Sequence, residues 1–354
     1  MSGRLDEILA AAVPAVCSAA VAVIAVDGAV AASGVAGELE RYADAGERLL
    51  GERPAARRDS LFDLASISKL FTTAVVLSLA EEGRLSLDAP VAAWLPGYSP
   101  AITLKHLLTH TAGLQPTRRV DLEIPGEGPS VLAARMRAML TTPTTSPVGA
   151  DYLYSDVGMV TAGRVAELAG QAPLDVLVRE RVTARLGLAD TCYRPAAALA
   201  GRVAATEFKP ERPGSAAVRG EVHDETAYGL GGVAGHAGLF STADDVLRFG
   251  EALRTGGGPV LRPETVAEMV RDQGGSGAPF RHGLGVRIGD PAIVGPLRDA
   301  FGHSGFTGTS LVVDPATRLT VVLLTNAVHP LRGRPGIREL RHAVAAEALR
   351  LATT

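Results

Sequence analysis

The segment Phe62-Asp63-Leu64-Ala65-Ser66-Ile67-Ser68-Lys69-Leu70-Phe71-Thr72 is the one around which the chain is organised. After it, apolar residues recur at helical spacing: Leu70, Ala74, Leu77 and Ala80 on one face, widened by Val76 and Leu79. Small and hydroxylated residues precede this helix, as a helix start requires. Ser66 is therefore expected in the first turn, with Lys69 three residues on. Positions i and i+3 share a helix face about 5–6 Å apart at Cβ, so an amine can reach a hydroxyl one turn back. The helix N-terminus also favours negative charge developing on the serine oxygen. The chain has only three lysines, Lys69, Lys105 and Lys209, and uses arginine elsewhere. A retained lysine is a candidate for what arginine cannot do, which is to lose its proton when buried. A Ser-x-x-Lys pattern also arises by chance, so its chemical reading depends on the rest of the chain.

A length of 354 residues suits one large or two ordinary domains, and 47% hydrophobic residues suits a sizeable core. The net charge of −3 comes with no basic patch, which argues against nucleic acid as a partner. The apolar stretch 8–26 is long enough to raise a membrane-spanning reading. Pro14 breaks it and alanine dominates it, so a helix ending near Pro14 followed by a buried strand is the simpler expectation, with no membrane partner. Cys17 lacks the small preceding residue of a lipidation site, because Val16 stands there. Cys17 and Cys192 make no disulfide framework and no metal pattern, and read as buried reduced thiols of a cytoplasmic protein.

In chain order, 2–13 reads as an amphipathic helix, and 19–26, Asp27-Gly28 and 29–36 as a β-hairpin. Residues 38–60, with Arg53, Arg57 and Arg58, read as a solvated connector. The Ser66 helix ends near Gly83. A loop-rich passage, 88–100, surrounds Trp94. Thr103 caps a short helix over 103–109, and helices are expected over 132–140, 157–169 and 174–186. No strand is expected between about 86 and 190, and 195–235 reads as irregular. Ser241-Thr242-Ala243-Asp244-Asp245 opens a helix to about Leu253, and Pro263 opens another. Strands are expected over 282–288, 309–313 and 319–325, the last turn made by Asp314-Pro315 and Arg318, before a closing helix over 337–351. Strands at both ends and helices in the middle imply an α+β fold. An antiparallel sheet built from 1–85 and 240–354 is flanked by the first and last helices, with a mainly helical lobe, 86–239, inserted and the active site between them.

Further constellations could carry chemistry. Tyr154-Ser155-Asp156 follows a Pro147/Gly149 loop, with Asp156 as the expected N-cap of the next helix. A phenol is a poor base unless a cation lies near it, and Lys69 is the candidate; the triplet by itself reads rather as an ordinary aromatic packed at a lobe boundary. His303-Ser304-Gly305-Phe306-Thr307-Gly308 lies at a strand end, where an extended substrate can bind by main-chain hydrogen bonds. The glycine-dense run 229–238 has no βαβ context for a dinucleotide and reads as a flexible or tightly turned loop near the site. His223 and His236 show no metal-ligand spacing, and His106 and His110 lack a metalloprotease glutamate and read as structural. No metal and no cofactor is expected. Neither Ser304-Gly305 nor Gly275-Ser276-Gly277 supplies a Gly-x-Ser-x-Gly elbow, which argues against an α/β-hydrolase.

Ser66-x-x-Lys69, Tyr154-Ser155-Asp156 and His303-Ser304-Gly305, in that order, resemble the penicillin-binding-protein and class C β-lactamase superfamily. The closer resemblance is to its branch of β-lactamase-related esterases, transesterases and D-aminopeptidases. It extends to Leu107-Leu108-Thr109-His110-Thr111-Ala112-Gly113-Leu114 and to Ala237-Gly238-Leu239-Phe240-Ser241-Thr242, and so covers most of the chain. The resemblance implies Ser66 as nucleophile, Lys69 as its activator and Tyr154 as general base. It implies an oxyanion hole from the N–H groups of Ser66 and Phe306, and substrate contacts from Asp156, His303, Ser304 and Gly305.

Two positions depart from the family pattern. Asp156 stands where asparagine is usual, and His303 where a β-lactamase has a lysine that helps hold a substrate carboxylate. Histidine, with a pKa near 6.5, carries that charge poorly at pH 7. An uncharged ester, amide or thioester is therefore the expected acyl donor. Interception of the acyl-enzyme by an amine or alcohol is a biosynthetic variant of the same chemistry, and it turns on how well loops 115–130 and 200–235 exclude water. The same motifs also admit a β-lactamase, a D-aminopeptidase or a D,D-peptidase, and the same fold admits a non-catalytic binding protein.

Overall fold

The computed structural model describes residues 3–213, 216–274 and 277–353. Gly275 and Ser276 of the Gly-Ser-Gly triplet, and Ser2 of the first helix, lie outside these residues. Helix α1 (Gly3–Ala12) leads into strands β1 (Ala19–Val26) and β2 (Ala29–Gly37). Asp27 and Gly28 both take positive φ, as a tight hairpin turn of this kind requires. A short strand β3 (Phe62–Asp63) precedes a 3₁₀ turn (Ala65–Ile67) and helix α2 (Ser68–Glu81).

The middle of the chain supplies α3 (Leu104–Leu108), α4 (Val120–Glu123), α5 (Pro129–Leu140), α6 (Asp156–Gly170), α7 (Leu174–Val178) and α8 (Ala184–Leu186). Strand β4 (Cys192–Tyr193), α9 (Glu225–Gly229), β5 (Leu239–Ser241), α10 (Ala243–Arg254) and α11 (Pro263–Met269) follow. Strands β6 (Arg281–His282) and β7 (Arg287–Ile288), α12 (Pro291–Val294), β8 (Phe301–Ser304), β9 (Ser310–Asp314), β10 (Leu319–Thr325) and α13 (Ile337–Thr353) complete the chain.

One seven-stranded sheet runs β2-β1-β10-β9-β8-β7-β6, every pair antiparallel. Strand β1 pairs with β10 from Ala20↔Thr325 to Val26↔Leu319, so the two ends of the sequence meet within it. Both faces of β1 are covered, which explains its unbroken apolar run. Ala20, Ala22 and Ile24 pack with Leu5 and Leu9 of α1 and Leu340 and Val344 of α13. Val21, Val23 and Ala25 belong to the larger core with Phe71 and Val75 of α2 and Val246 and Phe249 of α10. Each large apolar side chain among them contributes about 1.5–3 kcal/mol by leaving water.

Several local expectations change on contact with the fold. The stretch 282–288 is two short strands joined by a turn, because Gly285 at φ +68° brings the backbone against Thr73 of α2. Residues 174–186 form α7 and α8 joined by a π-type turn, Arg179–Thr183. Arg58, in the stretch expected to be a solvated connector, makes a bidentate pair with Asp244 at 2.7–3.1 Å. Cys17 is buried, but Cys192 is only partly so; both are free thiols. No helix among the described residues is long and apolar enough to cross a membrane.

Candidate active site

The start of α2 is held by its neighbours. Neither Leu64 nor Ile67 provides a side-chain cap, so the hydroxylated residues do not start the helix as expected. Asp63 fixes the entry instead. Its buried carboxylate accepts the Ala65 N–H at 2.7 Å and the His223 N–H at 2.6 Å. Ala65 is thereby held at φ +45°, a conformation that costs a non-glycine residue of order 1–3 kcal/mol. The next residue, Ser66, sits in the 3₁₀ turn rather than in the α-helix itself.

The turn after β8 closes over the same backbone. Thr307 and Thr309 donate their hydroxyls to the carbonyls of Asp63 and Leu64, at 2.7 and 3.1 Å. A Cβ on Gly305 would lie 2.1 Å from Thr309 Oγ1 and 2.4 Å from the Leu64 carbonyl, so only glycine fits. Gly305 donates its own N–H to the Thr309 carbonyl, and its carbonyl accepts from Arg341. Phe306, one residue on, is exposed, its ring stacked on His223 with centroids 5.7 Å apart. Among the described residues, no backbone carbonyl takes the Phe306 N–H.

Four of the residues singled out in the sequence meet around one hydroxyl. Lys69 Nζ lies 2.8 Å from Ser66 Oγ, and Tyr154 Oη donates to the same Oγ at 3.0 Å. Asp156 Oδ1 is 2.8 Å from Lys69 Nζ. Lys69 is fully buried; it donates to Ser66 Oγ and, at 3.2 Å, to the His236 carbonyl, and it forms an ion pair with Asp156 Oδ1. Burial pulls its pKa down, but the Asp156 carboxylate and the Tyr154 oxygen outweigh burial and hold it above the ordinary lysine value. Lys69 is thus an ammonium in this arrangement, whereas the sequence argument rested on its losing a proton. Asp156 is also not the cap of α6. Ser155 is, accepting the Gly158 N–H at 3.1 Å, while the Asp156 carboxylate turns to the lysine.

His303 is buried beside Tyr154, ring centroids 6.0 Å apart, and reaches neither Ser66 nor Lys69 by a hydrogen bond. Its Nδ1 bonds the Ser304 carbonyl at 2.8 Å, which places the proton on Nδ1. His110, read as structural, packs on Tyr154 at 4.6 Å and accepts the Ser155 N–H at 3.2 Å, so it holds the Tyr154 segment in place. Arg287 stands 5.0 Å from the Tyr154 ring and is paired with Asp290 at 3.0 Å. Nothing in the sequence marks Arg287, Asp224 or Asp63 beforehand, because each is an isolated charge whose partners come from distant segments.

Burial, reinforced by the positive charges of Lys69 and Arg287, holds both His110 and His303 well below the usual imidazole pKa. Both are therefore neutral in the fold, while in the unfolded chain they take up protons near pH 6.5. Between those limits the unfolded state binds more protons, so stability rises with pH and is lost as pH falls below about 6.5. Each imidazole is expected to cost up to about 1.4 kcal/mol per pH unit there. Denaturant unfolding at pH 7, 6 and 5 should show this slope, and His303→Asn should flatten it. An unchanged slope in that variant contradicts the assignment.

The Beta-lactamase family model matches residues 10–346 of the chain. The chain belongs to this family. It is 33% identical over 325 residues to a putative D-alanyl-D-alanine carboxypeptidase of Escherichia coli (strain K12), covering 79% of this chain and 72% of that one. It is 34% identical over 344 residues to esterase EstB of Burkholderia gladioli, covering 83% and 85%. Among solved structures it superposes on EstCE1, a hydrolase with promiscuous acyltransferase activity, with a TM-score of 0.73 and 26% identity over 97% of this chain and 98% of the other. This α+β protein of the Beta-lactamase family is therefore an enzyme of the serine hydrolase and acyltransferase kind.

Proposed function

We propose that Ser66 is the nucleophile of an acyl-enzyme mechanism acting on an uncharged ester, amide or thioester. The observation that carries this reading is the convergence of Lys69 Nζ and Tyr154 Oη on Ser66 Oγ at 2.8 and 3.0 Å. In the reacting form the Ser66–Lys69–Tyr154 cluster has lost one proton. Tyr154 Oη takes the Ser66 proton as Oγ bonds to the acyl carbon, with the Lys69 ammonium beside it. The oxyanion is held by the Ser66 and Phe306 N–H groups, each such donor being worth about 10²–10³ in rate. Tyr154 returns the proton to the leaving group, which departs and leaves the acyl group on Ser66. Water, an alcohol or an amine then loses a proton to Tyr154 and attacks the same carbon, and Tyr154 passes that proton to Ser66 Oγ as the ester bond to it breaks.

The charges near Ser66 support an uncharged substrate. Lys69 and Arg287 are paired with Asp156 and Asp290, and His303 is neutral, so a substrate carboxylate has no ready counter-charge there. The segments expected to control access of water wall a cavity of about 700 Å³ whose lining mixes Leu122, Val222 and Tyr228 with the charged Arg119, Asp121 and Arg212; Ser66, Lys69 and Tyr154 do not line it. We read residues 86–239 as the lobe carrying these walls, and the protein as cytoplasmic. The acyltransferase reading is favoured by the likeness to EstCE1, whose activity includes acyl transfer.

Short-chain p-nitrophenyl esters are expected to be turned over at least about 10²-fold faster, in kcat/KM, than nitrocefin. Adding an alcohol or amine should divert part of the acyl group to a new ester or amide. Nitrocefin turnover rivalling that of the esters overturns the substrate class.

A further inference from the structure

Two side chains near Lys69 have no part in the reaction as derived. Asp224 Oδ1 lies 2.7 Å from His236 Nε2. The same Asp224 oxygen accepts the Ala227 N–H at 2.7 Å, capping α9. His236 is 1% exposed, its Nδ1 is buried without a hydrogen-bond partner, and its carbonyl accepts from Lys69 Nζ. Ligand atoms of Asp156, Asp224 and His236 all fall within 4.8 Å of one another. Two carboxylates and an imidazole are a donor set a divalent cation could use, but an ammonium already sits 2.8 Å from Asp156 Oδ1. The cation this cluster serves is Lys69. Burial pushes the Asp224 carboxyl up, yet His236, the Ala227 N–H and Lys69 together hold it well below the usual range, so Asp224 is charged.

We infer that Asp224 and His236 are positioning residues for Lys69. The carboxylate orients the imidazole, the imidazole fixes the peptide whose carbonyl takes one Lys69 N–H, and the carboxylate adds a second negative charge that keeps Lys69 an ammonium through the cycle. This rests on the reading of Ser66, Lys69 and Tyr154 given above. The remaining groups near the ammonium are Tyr154 and Asp156 from α6 and the loop before it, His110 after α3, Arg287 on β7 and His303 on β8. The imidazoles of His110 and His303 are neutral and Arg287 is charged across the neutral range, so the acid limb of kcat/KM reports the proton lost from the Ser66–Lys69–Tyr154 cluster or one on His236, and His236→Ala and His236→Gln, which both lack the imidazole, separate the two.

Asp224→Asn removes a negative charge, so the cluster holds its proton less tightly. The acid limb is expected to move down by about one pH unit, the scale of one partly screened charge at an effective dielectric near 20. His236→Ala leaves the Asp224 charge in place and removes only the hold on the carbonyl that takes one Lys69 N–H, so it should move the limb down by less than Asp224→Asn does, and His236→Gln, whose amide can donate where Nε2 does, should bring it back. The two losses should not add in Asp224→Asn/His236→Ala, because the residues act as one unit. Labelling of Ser66 by a fluorophosphonate is measured alongside. Absence of labelling in the unmodified enzyme means the acyl-enzyme reading itself has failed. Labelling with an unmoved limb, the rate falling equally at every pH, overturns this inference alone. If Asp224→Asn does not fold, the contrast between His236→Gln and His236→Ala decides, and identical pH profiles for those two overturn it.

Discussion

Replacing Ser66 with alanine is expected to lower ester turnover by about 10⁴–10⁶-fold while leaving the fold intact. The size follows from the geometry. Lys69 and Tyr154 both address Ser66 Oγ, and among the described residues no second hydroxyl receives both. Without Oγ, water would have to be positioned by groups spaced for a covalent step, and only the oxyanion donors and binding would remain. The fold should survive because the turn is fixed by Asp63, Thr307 and Thr309 acting on backbone atoms, not by the Ser66 hydroxyl. Stopped-time assays with a p-nitrophenyl ester, beside a thermal unfolding curve, check both halves. Turnover within tenfold of the unmodified enzyme contradicts the role of Ser66.

Lys69→Met should have the second largest effect, and it should act on stability as well as rate. Methionine keeps the buried apolar stem but removes the ammonium, leaving the Asp156 carboxylate without its partner at 2.8 Å. Breaking a buried pair from one side typically costs about 3–5 kcal/mol. Asp156 retains some exposure, so the lower end is expected here, together with a loss of about 10²–10⁴ in kcat/KM. Adding Asp156→Asn should restore most of the stability and little of the rate. Urea unfolding and ester hydrolysis on the two single variants and the double variant form the test. Rate and stability recovering together would show that Lys69 serves packing alone.

The parts of the fold that were legible in the sequence are those fixed by local chemistry. Asp27-Gly28 set the hairpin, Thr103 and Thr242 cap their helices, and Pro263 starts α11, as their residue types require. That Ser66, Lys69 and Tyr154 come together was legible because their spacing and order carry information by themselves. What was hidden depends on distant partners. Asp156 looks like a helix cap until a buried ammonium claims its carboxylate and Ser155 takes over the cap. Lys69 looks like an amine chosen to deprotonate until that same carboxylate is seen beside it. Asp224 lies in a Gly/Pro/Ala-rich stretch with no periodicity, and its link to Lys69 runs through His236. The strand expected over 282–288 was split by a glycine that follows the shape of α2.

The covalent intermediate proposed on Ser66 Oγ can be weighed directly. The enzyme is mixed with a slowly deacylating ester, quenched in acid, digested and analysed by mass spectrometry. An added acyl mass confined to the peptide that contains Ser66, absent from Ser66→Ala, is the predicted result. Full turnover with no adduct on that peptide, or an adduct on another residue, contradicts it.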